Sequence, residues 1–274
     1  DPELSRGLGD VYKRQHSHLE ANSRMSLDLD GETTRTKSGG FPAVVTKIKE
    51  LRLENPNSLT LHAGDATNGT LYFTLFEGEA DAALMNVVCF DAFVVGNHEF
   101  NNGDQGLVTF LDYLNEGNCQ TPVLGANVQP EVGISPLAKS SRDDYIQPYT
   151  IVERNGEKIG IIGIVISKKT KMSSNPDDNT MFLDEVSTAQ KYTDELNSQG
   201  VDRVILLSHF GYENDLALAQ KTSGIDIIVG GDSHSLLGDL SDLGLKPSGS
   251  YPTMVNDASG NDVCVVTAWE YSQI

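Results

Sequence analysis

Five short polar stretches carry the residues that could do chemistry. They are His16 and His18 in "QHSHLE", Gly64-Asp65, Gly96-Asn97-His98, Ser208-His209, and Gly231-Asp232-Ser233-His234. Of the 6 histidines in the chain, only His62 lies outside them. Imidazole, carboxylate and amide oxygen together suit Zn, Mn, Fe or Co better than a soft-sulfur site would. Two cations set about 3.5–4 Å apart need a bridging carboxylate. Asp65, a lone acid at a Gly-bounded strand exit, is the natural bridge. Such a pair lowers the pKa of water so that hydroxide exists near neutral pH, and it clamps the oxygens of an in-line displacement at phosphorus. His98 follows ligand-type Asn97 and cannot share its direction. It is therefore assigned a role outside the metal shell, steadying the phosphoryl oxygens or the leaving group.

Plainer roles fit several neighbours. His62 sits inside a strand pattern and reads as a core histidine. His18 reads as an outer or loop residue, and Glu99 as an anchor for the turn that follows it. Asn68 reads equally as a residue near a phosphate and as an ordinary turn residue before Gly69. Tyr72, Phe73 and Phe76 read as core packing rather than as a base-stacking box.

What must position the polar stretches is a set of strands. "LTLHAGD", "AFVVGNHE", "VILLSHFG" and "IDIIVGGDSH" each run from apolar and β-branched residues into a polar exit. Runs of that kind are strands buried on both faces. In sheets built from them, ligands sit beyond the carboxyl ends of the strands. Four exits with metal-ligand residue types are hard to attribute to chance. Between the strands lie helical patterns. Phe41, Val44, Val45, Ile48 and Leu51 recur at 3- and 4-residue intervals up to Asn55-Pro56. "LFEGEADAALMNVVC" reads as one further helix, and "DQGLVTFLDYLNEG" and "DEVSTAQKYTDELNSQG" as two more. Asn155-Gly156, between two apolar runs, predicts a β-hairpin. "SSNPDDNT" reads as a surface loop. The alternation of strand and helix predicts an α/β layered fold.

Composition excludes some partners. The 274 residues carry a formal net charge of -19, which repels a nucleic-acid polymer and an anionic membrane surface. No run of 18 or more apolar residues exists, so a membrane span is not expected. Cys89, Cys119 and Cys264 lie far apart, with no knuckle spacing. Cys89 sits in an apolar helix pattern and reads as a small core residue; one disulfide among the three stays open. Residues 1–15 have no amphipathic period and read as sequence foreign to a domain spanning 16–274. Both ends of the chain read as cut.

In order and spacing, "GDATNG", "GNHEF", "SHFG" and "GGDSH" resemble the calcineurin-like metallophosphoesterase superfamily. "HSHLE", "GTLYFTLFEGEAD" and "GNHEFNNG" narrow the resemblance to its 5′-nucleotidase branch, over residues 15 to 274. The resemblance implies a four-layer α/β/β/α sandwich of two mixed sheets flanked by helices. It implies two divalent metal ions, one held by His16, Asp65 and His234 and the other by Asp65, Asn97, His209 and Asp232. Catalytic roles fall to His98, and to Asn101 as its orienting partner. The activity implied is hydrolysis of nucleotide phosphate monoesters by a hydroxide bridging the two metals. Alternatives are an impaired metal- or nucleotide-binding domain, an NAD or UDP-sugar pyrophosphatase, or a cyclic-nucleotide phosphodiesterase. A nucleotide or other small phosphorylated substrate is the expected partner, to a monomer in a periplasmic or extracellular setting. A C-terminal substrate-binding domain is expected in cis and is absent from these residues.

Three positions depart from the family's pattern. The family opens with Asp-x-His, and the Asp position here is Arg14, whose guanidinium cannot ligate a cation. Many relatives have Gly-His-x-His where this chain has Gly231-Asp232-Ser233-His234, adding one negative charge. Relatives often place Asp where Asn101 stands; an amide accepts a hydrogen bond but cannot stabilise an imidazolium by charge. Arg14→Asp is expected to raise phosphatase turnover with Mn or Zn well above that of the parent chain. An unchanged rate in a phosphate-release assay would show that the first metal position does not need this ligand.

Overall fold

The computed structural model describes residues 11–12 and 16–272. Arg14 lies outside the described residues. Two sheets form the interior. The first has strand order β1-β4-β5-β6, from β1 (Val11–Tyr12), β4 (Leu61–His62), β5 (Ala92–Val94) and β6 (Val123–Leu124). All its described pairings are parallel, because a crossover separates each strand from the next. The second is mixed. Its parallel centre is β9 (Glu157–Val165), β11 (Arg203–His209), β12 (Ile227–Gly230) and β14 (Asp262–Thr267). Antiparallel β8 (Tyr149–Arg154) and β13 (Thr253–Asn256) close its two edges.

Strict alternation along the strands builds the layers. On β11, Ile205 and Leu207 face the first sheet and pack with Leu61, Ala63, Ala92, Val94 and Leu124. Val204 and Leu206 face the other way, against Ala189, Leu196 and Leu218. Those three come from the helices Glu185–Ser198 and Tyr212–Ala219. On the far side, Phe93 and Val95 meet Phe41, Val44, Ile48, Leu107 and Leu111. These belong to the helices Phe41–Glu54 and Gly103–Asn115, both at their expected places. The result is the four-layer α/β/β/α sandwich.

Several local expectations change. The second helix is two, Leu71–Phe76 and Glu79–Val88. The break falls where Glu77 (φ 50) and Gly78 (φ 96) both turn left-handed. Gly78 is forced there, since a Cβ would lie 3.0 Å from the Phe110 ring. Leu71–Phe76 buries none of its side chains, and Phe76 is exposed rather than core; Tyr72 alone packs partly against the core. Cys89 is also exposed, and it is joined to Cys119 in a disulfide across 5.4 Å of Cα separation. Its place is the left-handed end of a helix, not the apolar face. The 173–180 loop ends in a short strand, β10 (Thr180–Phe182), which buries Thr180 and Phe182 and pairs with β7 (Val128–Pro130). A hairpin of β2 (Asn22–Leu29) and β3 (Glu32–Ser38) turns at Asp30-Gly31, a signal of the same class as Asn155-Gly156.

His62 is fully buried, edge-on to Phe90 and Phe93, and its Nδ1 accepts the Gly64 N–H at 3.2 Å. Burial, reinforced by nearby His209, lowers its pKa from 6.5 to about 3. The unfolded chain therefore takes up the proton first. Stability held by neutral His62 is complete above pH 6.5 and is lost as pH falls toward 3. Between pH 6.5 and 5, urea unfolding of the metal-free protein should lose about 1.5 kcal/mol more in the parent than in His62→Gln. Equal losses in both would contradict a neutral buried His62.

Candidate metal centre

Strand exits from both sheets meet at one place. The chain leaves β4 through Gly64-Asp65, β5 through Gly96-Asn97-His98, β11 at His209 and β12 through Gly231-Asp232. Close approach is possible because three of these residues lack a Cβ. One built on Gly64 would strike His209 Nδ1, one on Gly96 would strike Asp65 Oδ1, and one on Gly231 would strike the Ala63 carbonyl. Four of the residues expected to ligate hold left-handed backbone: His16 (φ 40), Asp65 (φ 55), Asp232 (φ 68) and His234 (φ 54). Each costs on the order of 1–3 kcal/mol and persists only where the surroundings fix it.

Glu99 supplies much of that fixing. Its carboxylate accepts the backbone N–H of Gly96 (2.6 Å), Asp65 (2.9 Å) and Thr67 (3.1 Å). It thereby knots together two strand exits that precede it, rather than the turn that follows it. Burial, then the Asp65 charge, push its pKa up. A second brace is Asp81, which accepts the Ser17 hydroxyl at 2.8 Å beside His16.

Around the fully buried Asp65 the geometry is close. Oδ2 lies 3.0 Å from His209 Nε2 and 3.7 Å from His16 Nε2, while Oδ1 accepts the His98 backbone N–H at 3.0 Å. His209 Nε2 is also 3.6 Å from Asp232 Oδ1. Two groups each bring their ligating atoms within 4.8 Å of one another: His16, Asp65 and His98; and Asp65, His209 and Asp232. His209 Nδ1 donates to the Ala63 carbonyl at 2.7 Å, which aims Nε2 at the carboxylates. Burial alone lowers the His209 pKa, but Asp65 and Asp232 outweigh it and the net shift is upward.

His234 stands beside His16, with ring centroids 5.7 Å apart. Its Nδ1 is 2.6 Å from Glu270 Oε2, and its buried Nε2 has no hydrogen-bond partner. An imidazole oriented by a carboxylate and presenting its other nitrogen is the arrangement of a metal-bound histidine. Asn97 gives the sharpest test of fit. It is fully buried, and neither Oδ1 nor Nδ2 has a hydrogen-bond partner. A buried amide in that condition costs about 1–3 kcal/mol for each unmet group. An oxygen-seeking cation would satisfy Oδ1, so the residues present fit a metal site.

At His98, Nδ1 meets Asn101 Nδ2 at 2.9 Å and Asn68 Nδ2 at 3.0 Å. With amide nitrogens facing it, Nδ1 accepts and the ring proton sits on Nε2. The structure thus joins Asn68 to the site, the reading the sequence left level with a plain turn residue. Lys169, Glu270 and Tyr271 were missed. Lys169 follows the exit of β9, where "VISKKT" has no motif value by itself. Its Nζ is ion-paired with Asp232 Oδ1. Tyr271 packs 4.9 Å from the His234 ring and 4.5 Å from that of His18. Burial lowers the pKa of His18, which stands at the rim.

The chain is similar to known proteins over most of its length. A family model described as calcineurin-like phosphoesterase matches residues 8–236. A Treponema pallidum protein named "Probable 5'-nucleotidase" is 48% identical over 94% of this chain and 42% of its own length. The solved structure of Haemophilus influenzae NAD nucleotidase superposes with a TM-score of 0.89 at 43% identity, covering 96% of this chain and 50% of that one. A Thermus thermophilus 5′-nucleotidase precursor gives 0.84 at 38%, covering 96% and 48%. The chain thus spans half or less of the length of these relatives. Among the described residues no helix is long and apolar enough to cross a membrane.

Glu270→Gln tests the orienting contact on His234. Removing such a partner costs about 10–100-fold in metal affinity. Calorimetric titration of the metal-free protein with Mn should show that loss at one of its binding steps. An isotherm identical to the parent's would remove Glu270 from the site.

Proposed function

The chain belongs to the calcineurin-like phosphoesterase family, and on that premise we propose that it is the catalytic part of a metal-dependent phosphomonoesterase acting on nucleotides. The observation that carries the reading is the convergence on buried Asp65 of His16, His98, His209 and Asp232. His16, Asp65 and His234 would hold one divalent cation. Asp65, Asn97, His209 and Asp232 would hold the other, with Zn, Mn, Fe and Co the candidates the donor set allows. Bound there, the cations supply water acidified toward neutral pH and a positive clamp for phosphoryl oxygens.

The protein's own groups divide the remaining work. Asp65, fully buried, would serve both cations; its Oδ2 lies beside His16 Nε2 and His209 Nε2, and its Oδ1 fixes the His98 backbone. His98 carries its proton on Nε2, where it can donate to a phosphoryl oxygen or to the departing alkoxide. Asn101 and Asn68 hold Nδ1 and so keep that proton on Nε2. Glu99 does not meet substrate; it holds the two strand exits in register. The substrate class rests on relatives whose names are 5′-nucleotidase and NAD nucleotidase. The Cys89–Cys119 disulfide supports delivery to an oxidising compartment, periplasmic or extracellular.

His98 also lies within ligand distance of His16 and Asp65, so its role outside the metal shell needs a direct test. His98→Ala should retain the parent's Mn content while phosphate release from AMP falls by about 10²–10⁴-fold, the scale of a lost proton donor. Loss of metal together with turnover would make His98 a ligand and overturn this division of roles.

A further inference from the structure

We propose that Lys169 is a built-in counter-ion that competes with the divalent cation for Asp232. The inference rests on the metal reading above and concerns a residue that this reading leaves unused.

Lys169 lies on the short helix Ser167–Ser173, which directly follows β9. That helix is fastened to the site. The Ile166 N–H donates to the His209 carbonyl at 2.9 Å, so its entry is bonded to a candidate ligand residue. The Ser167 N–H and hydroxyl both donate to Glu185 Oε1, at 2.7 and 2.6 Å. From this mount the Lys169 ammonium reaches Asp232 Oδ1. The same oxygen is 3.6 Å from His209 Nε2. Lys169 therefore holds the very atom through which Asp232 would face a cation shared with His209.

Charge supplies the reason. Asp232 adds a carboxylate within 4.8 Å of that of buried Asp65, and both reach toward His209 Nε2. Without a cation, two carboxylates converging on one imidazole repel each other. The Lys169 ammonium is a compact point charge with three donors on a flexible stem, so it neutralises Asp232 and can still withdraw. A divalent ion entering at this position must break the ion pair and then tolerate a positive neighbour. Lys169 thus stabilises the metal-free site and weakens cation binding at the position shared by Asp65, His209 and Asp232. The other position, built on His16 and His234, does not use Asp232 and should be affected little.

The experiment is calorimetric titration of the metal-free full chain with MnCl2, with thermal melting of each metal-free variant as a fold check. Lys169→Met should bind Mn at one step about 10–100-fold more tightly than the parent, the range in which outer-shell partners shift metal affinity. Its metal-free form should melt lower, and the melting gain on adding Mn should be larger. Lys169→Arg, which keeps the charge, should stay near the parent. In an Asp232→His background the Lys169→Met effect should vanish, since no carboxylate is left to contest. Unchanged or weaker Mn binding by Lys169→Met, or an equal gain in the Asp232→His background, overturns the proposal while leaving the metal reading intact. A parent chain that binds no Mn overturns both.

Discussion

Asp65 is buried completely, and everything else in the site answers to that fact. A carboxylate out of water is costly unless charges and donors surround it. Here the surroundings are two imidazoles on Oδ2 and a backbone N–H on Oδ1. Two more acids stand close by: Glu99, bonded to the Asp65 N–H, and Asp232, whose Oδ1 is 3.6 Å from His209 Nε2. Such a concentration of negative charge is unfavourable for a protein alone and favourable for one that takes up cations. The Lys169 ion pair and the raised pKa of His209 are both responses of the protein to that same excess.

The layers explain how distant residues reach one pocket. Asp65 and Asn97 follow strands of the first sheet, whereas His209 ends one strand of the second and Asp232 follows another. The two sheets share an interior of Leu61, Ala63, Val94, Ile205, Leu207 and Val229, which sets the distance between their carboxyl ends. Glycines at three exits let those ends come closer than side chains would allow. Asp65 and Asp232, whose ligating atoms share one group with His209, both hold left-handed backbone. Packing energy from the core holds that strain in place.

Much of this was legible in the sequence for a simple reason. Strands buried on both faces are apolar throughout, so an abrupt change to Gly-Asp or Gly-Asn-His marks a carboxyl end. The Phe41–Glu54 helix was legible through its period, and the Asn155-Gly156 hairpin through turn chemistry. Contacts fixed only by tertiary placement were hidden. Nothing local in "VISKKT" shows that Lys169 reaches Asp232, and nothing in "WEYSQI" shows that Glu270 meets His234. Leu71–Phe76 was misread because its aromatic content suggested a core face, whereas none of its side chains is buried. Cys89 was misread for a related cause: the left-handed end of its helix swings it out to meet Cys119.

The central claim is that Asp65 bridges two cations caged by residues from both sheets. Anomalous diffraction from crystals grown with Mn tests it most directly. The account predicts two peaks about 3.5–4 Å apart with an Asp65 oxygen on each, one flanked by His16 and His234 and the other by Asn97, His209 and Asp232. A single peak away from Asp65, or two peaks on ligand sets that exclude it, would contradict the account.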